Sequence, residues 1–256
     1  MSEPSFDPRL AAIGPDDLQG RVILITGASQ GIGRAVALSC AQHGATVLLL
    51  GRNGRQLNEV HARISGAHGE ARAAIVEFDL ENAVARDYDA LFAAIEARYQ
   101  RLDGLLHNAG LLGQLAPVEH YDVPTWCRVL QVNVTAAFVL TQILLPLLKR
   151  SADGSIVFTA SGVGRVGRAY WGAYAVSKFA VEGLCEVLSE ELSGITPIRV
   201  NSLNPGATRT KMRRQAYPAE DPESLPAPEE ITHAYLALLG PASRGISGGR
   251  FNAQQT

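Results

Sequence analysis

Apolar positions along the chain fall into two alternating patterns. Short, nearly continuous β-rich runs occupy 21–26, 46–50, 72–78, 102–107, 155–159 and 198–203. Runs of this length without polar alternation suit strands covered on both faces, as in a parallel sheet. Between them, apolar residues recur at helical spacing over 34–43, 54–65, 87–99, 125–150 and 172–193. Repeated strand–helix alternation predicts an α/β fold: one doubly wound parallel sheet of about seven strands, with helices on both faces. No internal repeat, low-complexity tract or linker divides the chain, so 20–256 reads as a single domain. Residues 1–19, with Pro4, Pro8, Gly14 and Pro15, read as an extended arm.

Composition narrows the class. The chain has 256 residues, 46% hydrophobic and 19% charged, enough apolar material for a large core. A net charge of −2 gives no global electrostatic case for a nucleic-acid partner. Cys40, Cys127 and Cys185 are far apart and lack metal-type pairing, which suggests reduced thiols, a cytoplasmic setting and no metal. The apolar stretches 102–106 and 136–148 are too short or too interrupted to span a bilayer, and no targeting segment is visible. No membrane partner is expected.

Chemistry enters at the first strand. It runs into Gly27-Ala28-Ser29-Gln30-Gly31-Ile32-Gly33 and then a helix. Strand, glycine-rich turn and helix open a Rossmann-type dinucleotide-binding unit, whose helix N-terminus offers N–H groups to a pyrophosphate. The second strand ends at Gly51-Arg52 with no acid. An acid there would bind a ribose 2′-OH, whereas the Arg52 guanidinium suits a 2′-phosphate. The expected cofactor is therefore NADP(H), with NAD(H) possible, and Arg34 either assists or faces solvent. Asp79, at the end of the third strand, either accepts the adenine amino group or caps the helix that follows.

Tyr174 and Lys178 stand one helical turn apart. A nearby ammonium stabilises a tyrosinate and lowers the phenol's pKa, so that it can exchange a proton with an alcohol oxygen. Ser161 follows the fifth strand, where ligands bind in open α/β sheets. Asn133 interrupts an apolar helix face; it makes either a local side-chain–backbone bond or a water-holding kink at the site.

The residues together resemble the short-chain dehydrogenases/reductases over essentially 20–251. The resemblance rests on TGASQGIG at 26–33, HNAG at 107–110, Asn133, Ser161, YAVSK at 174–178 and NPG at 204–206. Within that family the segments LDGLLHNAGLLG, SGVGRVGRAYWGAYAVSKFA and NPGATRTKMR are similar to the bacterial YciK-type oxidoreductases. The resemblance implies a catalytic set of Asn133, Ser161, Tyr174 and Lys178. Tyr174 is then the general acid or base. Lys178 lowers its pKa and meets the nicotinamide ribose, Ser161 polarises a carbonyl, and Asn133 holds a water. It implies a cofactor lined by Gly27, Ser29, Gln30, Gly31, Ile32, Gly33, Arg52, Asp79, Leu80, Asn108, Ala109, Gly110, Pro205, Gly206, Thr208 and Thr210.

Two departures stand out: His107 replaces the family's usual Asn, and Ala160 stands where Ser is common. His107 is expected to be a satisfied core residue. Val163, Arg168 and Trp171 are expected in the substrate pocket, with further lining from 207–217, where Arg209, Lys211, Arg213 and Arg214 give cationic character. The implied activity is hydride transfer between NADP(H) and a small carbonyl or alcohol. A 3-oxoacyl-acyl-carrier reductase and a non-catalytic NADP-binding sensor or scaffold are the alternatives. The family implies a homodimer or homotetramer through the two long helices.

Overall fold

The six apolar runs form strands β1 (Val22–Thr26), β2 (Thr46–Gly51), β3 (Ala73–Glu77), β4 (Gly104–His107), β5 (Ser155–Thr159) and β6 (Arg199–Asn204). A seventh, β7 (Arg250–Asn252), pairs with β6 through Ser202 and Arg250. This computed structural model describes residues 7–255. Among the described residues the strands make one parallel sheet in the order β3-β2-β1-β4-β5-β6-β7. The order reverses between β1 and β4, which opens a crevice at their carboxyl ends.

Eight α-helices cover the sheet among those residues. They are α1 (Gly31–Gln42), α2 (Gly54–His68), α3 (Ala85–Tyr99), α4 (Val123–Leu130), α5 (Ala136–Leu148), α6 (Gly172–Leu192), α7 (Lys211–Ala216) and α8 (Thr232–Leu239). Helices α1, α2 and α8 close one core around Ile23, Val47 and Tyr235. Helices α3, α5 and α6 close the other around Leu24, Leu105 and Phe158. Both faces of each central strand are thus dry, which is why these strands read as unbroken apolar runs. The region expected to be an arm is partly core. Leu18 is fully buried, and Ala11 offers its carbonyl to His233 of α8 at 2.7 Å. Residues 1–6 of that region lie outside the described residues.

The single helix expected over 125–150 is composite. A π-helical turn, Gln131–Thr135, joins α4 to α5. The continuous run Val123–Leu148 is long and apolar enough to cross a membrane by length and mean hydropathy of 1.6. The apolar stretch 136–148, expected to be too short or too interrupted to span a bilayer, is only part of that run. The face carrying Ala136, Leu140, Leu144 and Leu147 is fully buried in the core.

Charges gather at the opposite, amino-terminal edge of the sheet. Asp153 binds Arg21 at 2.9 Å, Arg244 at 3.3 Å and Arg199. Asp103 accepts the Val22 N–H at 2.9 Å and the Ser151 hydroxyl at 2.6 Å. These contacts bind the starts of β1, β4, β5 and β6 to one another. Removing one member of a buried ion cluster leaves uncompensated charge. Asp153→Asn is expected to lower stability by about 3–5 kcal/mol, read as a reduced midpoint in urea unfolding. A loss below about 1 kcal/mol would show that water already satisfies these arginines.

Candidate active site

The crevice at the carboxyl ends of the strands holds a cavity of about 640 Å³. Its first wall is the glycine-rich turn. Gly27 and Gly31 have φ of 67° and 55°, backbone that favours glycine. Gly33 lies behind the cavity wall, where a Cβ would stand 2.3 Å from the Gly27 carbonyl oxygen and 2.5 Å from Asn108 Nδ2. That crowding comes from a clasp. The Thr26 hydroxyl accepts the N–H groups of Asn108 and Ala109 at 2.9 and 3.0 Å, and Asn108 Nδ2 donates to the Thr26 carbonyl at 3.2 Å. Gln30 caps α1 without a side-chain bond, and the first turn has no acid. Its leading N–H groups are therefore left for an anion. The chemistry and the crowding fit a dinucleotide pyrophosphate.

Ser29, Gln30, Gly31 and Ile32 line this wall, together with Asn108, Ala109 and Gly110 after β4. Pro205, Gly206, Thr208 and Thr210, after β6, line the facing wall. Gln254 ties that loop down, donating to the carbonyls of Pro205 and Ala207 at 2.7 and 2.9 Å. Arg34, Arg52, Asp79 and Leu80 also line the cavity. Arg52 stands 3.4 Å from Glu81, which also holds Arg128 at 2.7 Å, so one carboxylate sets two guanidinium groups. Glu81 was not anticipated. The Asp79 carboxylate accepts from the Glu81 N–H at 3.1 Å and the Asn82 amide at 2.7 Å. Its capping is thus of its own turn, while α3 takes its cap from Asp87.

Ser161, Tyr174 and Lys178 meet in the same cavity. Lys178 is buried, and its Nζ donates to the Thr159 carbonyl at 2.6 Å and stands 5.7 Å from the Tyr174 ring centre. Burial draws the Lys178 ammonium down to about 8, with the nearby Glu182 carboxylate opposing. The expected depression of the Tyr174 phenol is not what this arrangement produces. Burial raises it, and the Ser161 hydroxyl only partly opposes that. The reason is geometric: the Lys178 ammonium is directed at a backbone carbonyl at the end of β5.

Asn133 sits in the π-helical turn, outside the main cavity. It neither bonds locally nor remains free. Its Oδ1 accepts the Leu111 N–H at 2.7 Å, and its Nδ2 donates to the Leu111 carbonyl at 3.0 Å and the Ser177 hydroxyl at 2.9 Å. A second cavity, of about 10 Å³, lies among Asn133, His107, Thr159 and Lys178. That is about the size of one water.

Of the three residues expected at the substrate, one lines this cavity. Trp171 lines the cavity, 5.8 Å from the rings of both Tyr174 and Tyr217. Val163 and Arg168 do not. Val163 belongs to the 3₁₀ turn Gly162–Gly164, and Arg168 is drawn outward to the Tyr217 hydroxyl at 2.6 Å. The cationic stretch is partly neutralised: Arg209 pairs with Glu223, and Arg213 pairs with Glu220 at 2.6 Å while stacking on Tyr217. Among the described residues Lys211 and Arg214 line the cavity without an ion pair.

With this geometry in place, comparison with known proteins is informative. The short chain dehydrogenase family matches residues 21–221. The chain is 49% identical to the oxidoreductase YciK of Escherichia coli K12, itself described as uncharacterized, over 93% of this chain and 94% of that one. A short chain dehydrogenase structure from Pseudomonas syringae is 54% identical, with a TM-score of 0.93 over 97% of this chain and 99% of that one. One from Escherichia coli CFT073, complexed with NADPH, is 50% identical, with a TM-score of 0.91 over 95% and 100%.

His107 is buried between β4 and α5, stacked on Phe158 at 4.7 Å. Thr141 gives its proton to the Ala137 carbonyl, so His107 Nε2 donates to the Thr141 hydroxyl at 2.8 Å and the ring is neutral. Burial, aided by Lys178, pushes its pKa from 6.5 to about 3. The unfolded chain therefore binds a proton below pH 6.5 that the folded chain refuses. Stability is expected to be full above pH 6.5 and to fall as pH drops toward 3. His107→Asn should flatten that limb in denaturant titrations from pH 7 to 4, whatever its cost at pH 7. An unchanged slope would place the acid sensitivity elsewhere.

Proposed function

The chain belongs to the short-chain dehydrogenase family, and from that membership we propose that it transfers a hydride between NADP(H) and a carbonyl/alcohol pair. The observation that carries this reading is the meeting of Tyr174, Ser161 and Lys178 in a cavity that also contains the glycine turn and an uncapped helix N-terminus. The nicotinamide, when bound, supplies the hydride. Gly27, Ser29, Ile32 and Asn108 would hold the dinucleotide along the first wall and Thr208 and Thr210 along the second. Arg52, with Arg34 lining the same cavity, would take the 2′-phosphate.

The protein's own part is proton handling and orientation. The Tyr174 phenol would give its proton to an oxygen that gains negative charge, or take one back in the reverse direction. Ser161 and Tyr174 would hydrogen-bond that oxygen, as an oxyanion hole does. Lys178 would fix the ribose from its place against β5, and Asn133 would keep the surrounding loops in register. Trp171, which lines the cavity, suits an apolar or planar substrate. The pairing of Arg209 and Arg213 with acids leaves less cationic surface for an acyl-carrier partner than the sequence suggested. A sensor or scaffold would not need the intact proton-transfer set. The exposed side chains Phe138, Val176, Phe179 and Val187 on α5 and α6 support self-association through these helices, in a cytoplasmic protein.

Tyr174→Phe is expected to reduce NADPH-dependent carbonyl reduction by about 10²–10⁴-fold while NADPH still binds, as followed by its fluorescence. Near-normal turnover would remove Tyr174 from the chemistry. Arg52→Ala is expected to weaken NADPH by about tenfold or more and leave NADH unchanged. Equal weakening of both would mean that Arg52 does not read the 2′-phosphate.

A further inference from the structure

Glu182 lies one helical turn beyond Lys178 on α6, as Lys178 lies one turn beyond Tyr174, so the three share a face. Its carboxylate is 2% exposed, and no sequence signal distinguishes it from an ordinary solvent-facing helix acid. It is fully engaged. Arg165 Nε donates to Oε1 at 2.8 Å, the Ser202 hydroxyl donates to Oε2 at 2.5 Å, and Arg250 Nε stands 3.6 Å from Oε2. Arg165 directs its remaining nitrogens to Asn252 Oδ1 and the Phe251 carbonyl, both at 2.9 Å. A buried ion pair is weak evidence of net stabilisation, because desolvation offsets the attraction. Its place is better explained by what it holds.

Arg165 directly follows the turn Gly162–Gly164, which starts at Ser161. The Gly164 N–H donates to the Ser161 carbonyl at 2.9 Å. A Cβ on Gly164 would stand 2.6 Å from Lys178 Cβ, so this turn rests directly on α6 at Lys178. We propose that Glu182, through its ion pair with Arg165, is a positioning residue of the active site. It pins the Ser161 turn onto α6 and supplies the counter-charge for the Lys178 ammonium. The catalytic meaning of this rests on the oxidoreductase reading above; the geometry does not.

The charged and titratable groups around Lys178 come from every neighbouring element. Tyr174 and Glu182 lie on α6, neutral His107 on β4, Arg165 after the turn and Arg250 on β7. Tyr235 of α8 lies 3.3 Å from the Thr159 hydroxyl. Among these, Glu182 is the one carboxylate. Taking it away leaves Arg165 without its carboxylate, while Arg250 keeps Glu186, and disfavours the Lys178 ammonium. Taking Arg165 away frees the carboxylate and favours the ammonium. A purely structural role would not give opposite signs.

The chain has only three lysines, Lys149, Lys178 and Lys211. In the full chain labelled with ¹³Cε-lysine, the Lys178 resonance is identified by its loss in Lys178→Met. It should titrate near 8 in the native protein. In Glu182→Gln it should titrate about one unit lower, and in Arg165→Gln it should move upward, with Lys149 and Lys211 unmoved. The pH–rate profile should shift in the same directions, with the KM for NADPH within about twofold. If Glu182→Gln does not fold, Arg165→Gln decides alone, and no shift or a downward shift overturns the proposal. The resonance reads charge without turnover. A protein that shows the shifts but no reductase activity would therefore sink only the enzyme reading, and one with activity but no shifts would sink only the role of Glu182.

Discussion

The Asn133 amide makes three hydrogen bonds, two to the Leu111 backbone and one to the Ser177 hydroxyl. Ser177 passes its own proton to the Tyr174 carbonyl at 2.7 Å. One side chain thereby connects the loop after β4, the α4–α5 junction and the first turns of α6. An unsatisfied buried amide would cost about 1–3 kcal/mol, so these three segments are held to one arrangement. The wider turn at Gln131–Thr135 brings the amide to this point, and an interruption of that kind often marks a functional site. The backbone that carries Tyr174 is set by this relay before any ligand is considered.

The polar interior is handled differently at the two ends of the sheet. At the amino-terminal edge, Asp153 and Asp103 bind arginines and backbone groups into a network that only holds strands together. At the carboxyl-terminal edge the buried groups are held away from their ordinary protonation behaviour. His107 stays neutral, the Tyr174 phenol is raised, and Lys178 is brought close to neutral pH. Desolvation is the common cause, and each group is steadied by a specific partner: Thr141, Ser161 and Thr159. Of the three shifts, only that of Lys178 runs toward the pH range of ordinary proton transfer.

Features carried by adjacent residues were legible in the sequence. The glycine turn, the dyad of Tyr174 and Lys178, and six of the strands depend on local pattern. β7 was not placed, because Arg-Phe-Asn has no apolar run and becomes a strand only by lying beside β6. α8 went unread because THAYLALL is buried nearly all round and shows no polar face. Glu81 and Glu182 carry no local signal, because their partners Arg128, Arg165 and Ser202 arrive from elsewhere in the chain. The Lys178 target is a backbone carbonyl, which leaves no trace in residue type. Arg168 was assigned to the pocket on position alone, and Tyr217, from another segment, draws it away.

The seam between β1 and β4 also bears on how the chain assembles. Ile23 pairs with Gly104, while the other neighbouring strands join residues much closer in sequence, such as Val22 with Thr46. Against Val22 with Thr46 the loop is about three times longer, roughly 1 kcal/mol of chain entropy, and against Gly104 with Ser155 it adds about half of that. The sheet therefore divides into two locally connected halves whose junction is its most expensive pairing. The large cavity lies across that junction, with Gly27 on one half and Ser161 and Tyr174 on the other. A dinucleotide seated there acts as a bridge between the halves, so its concentration in the cell becomes part of what keeps the protein folded.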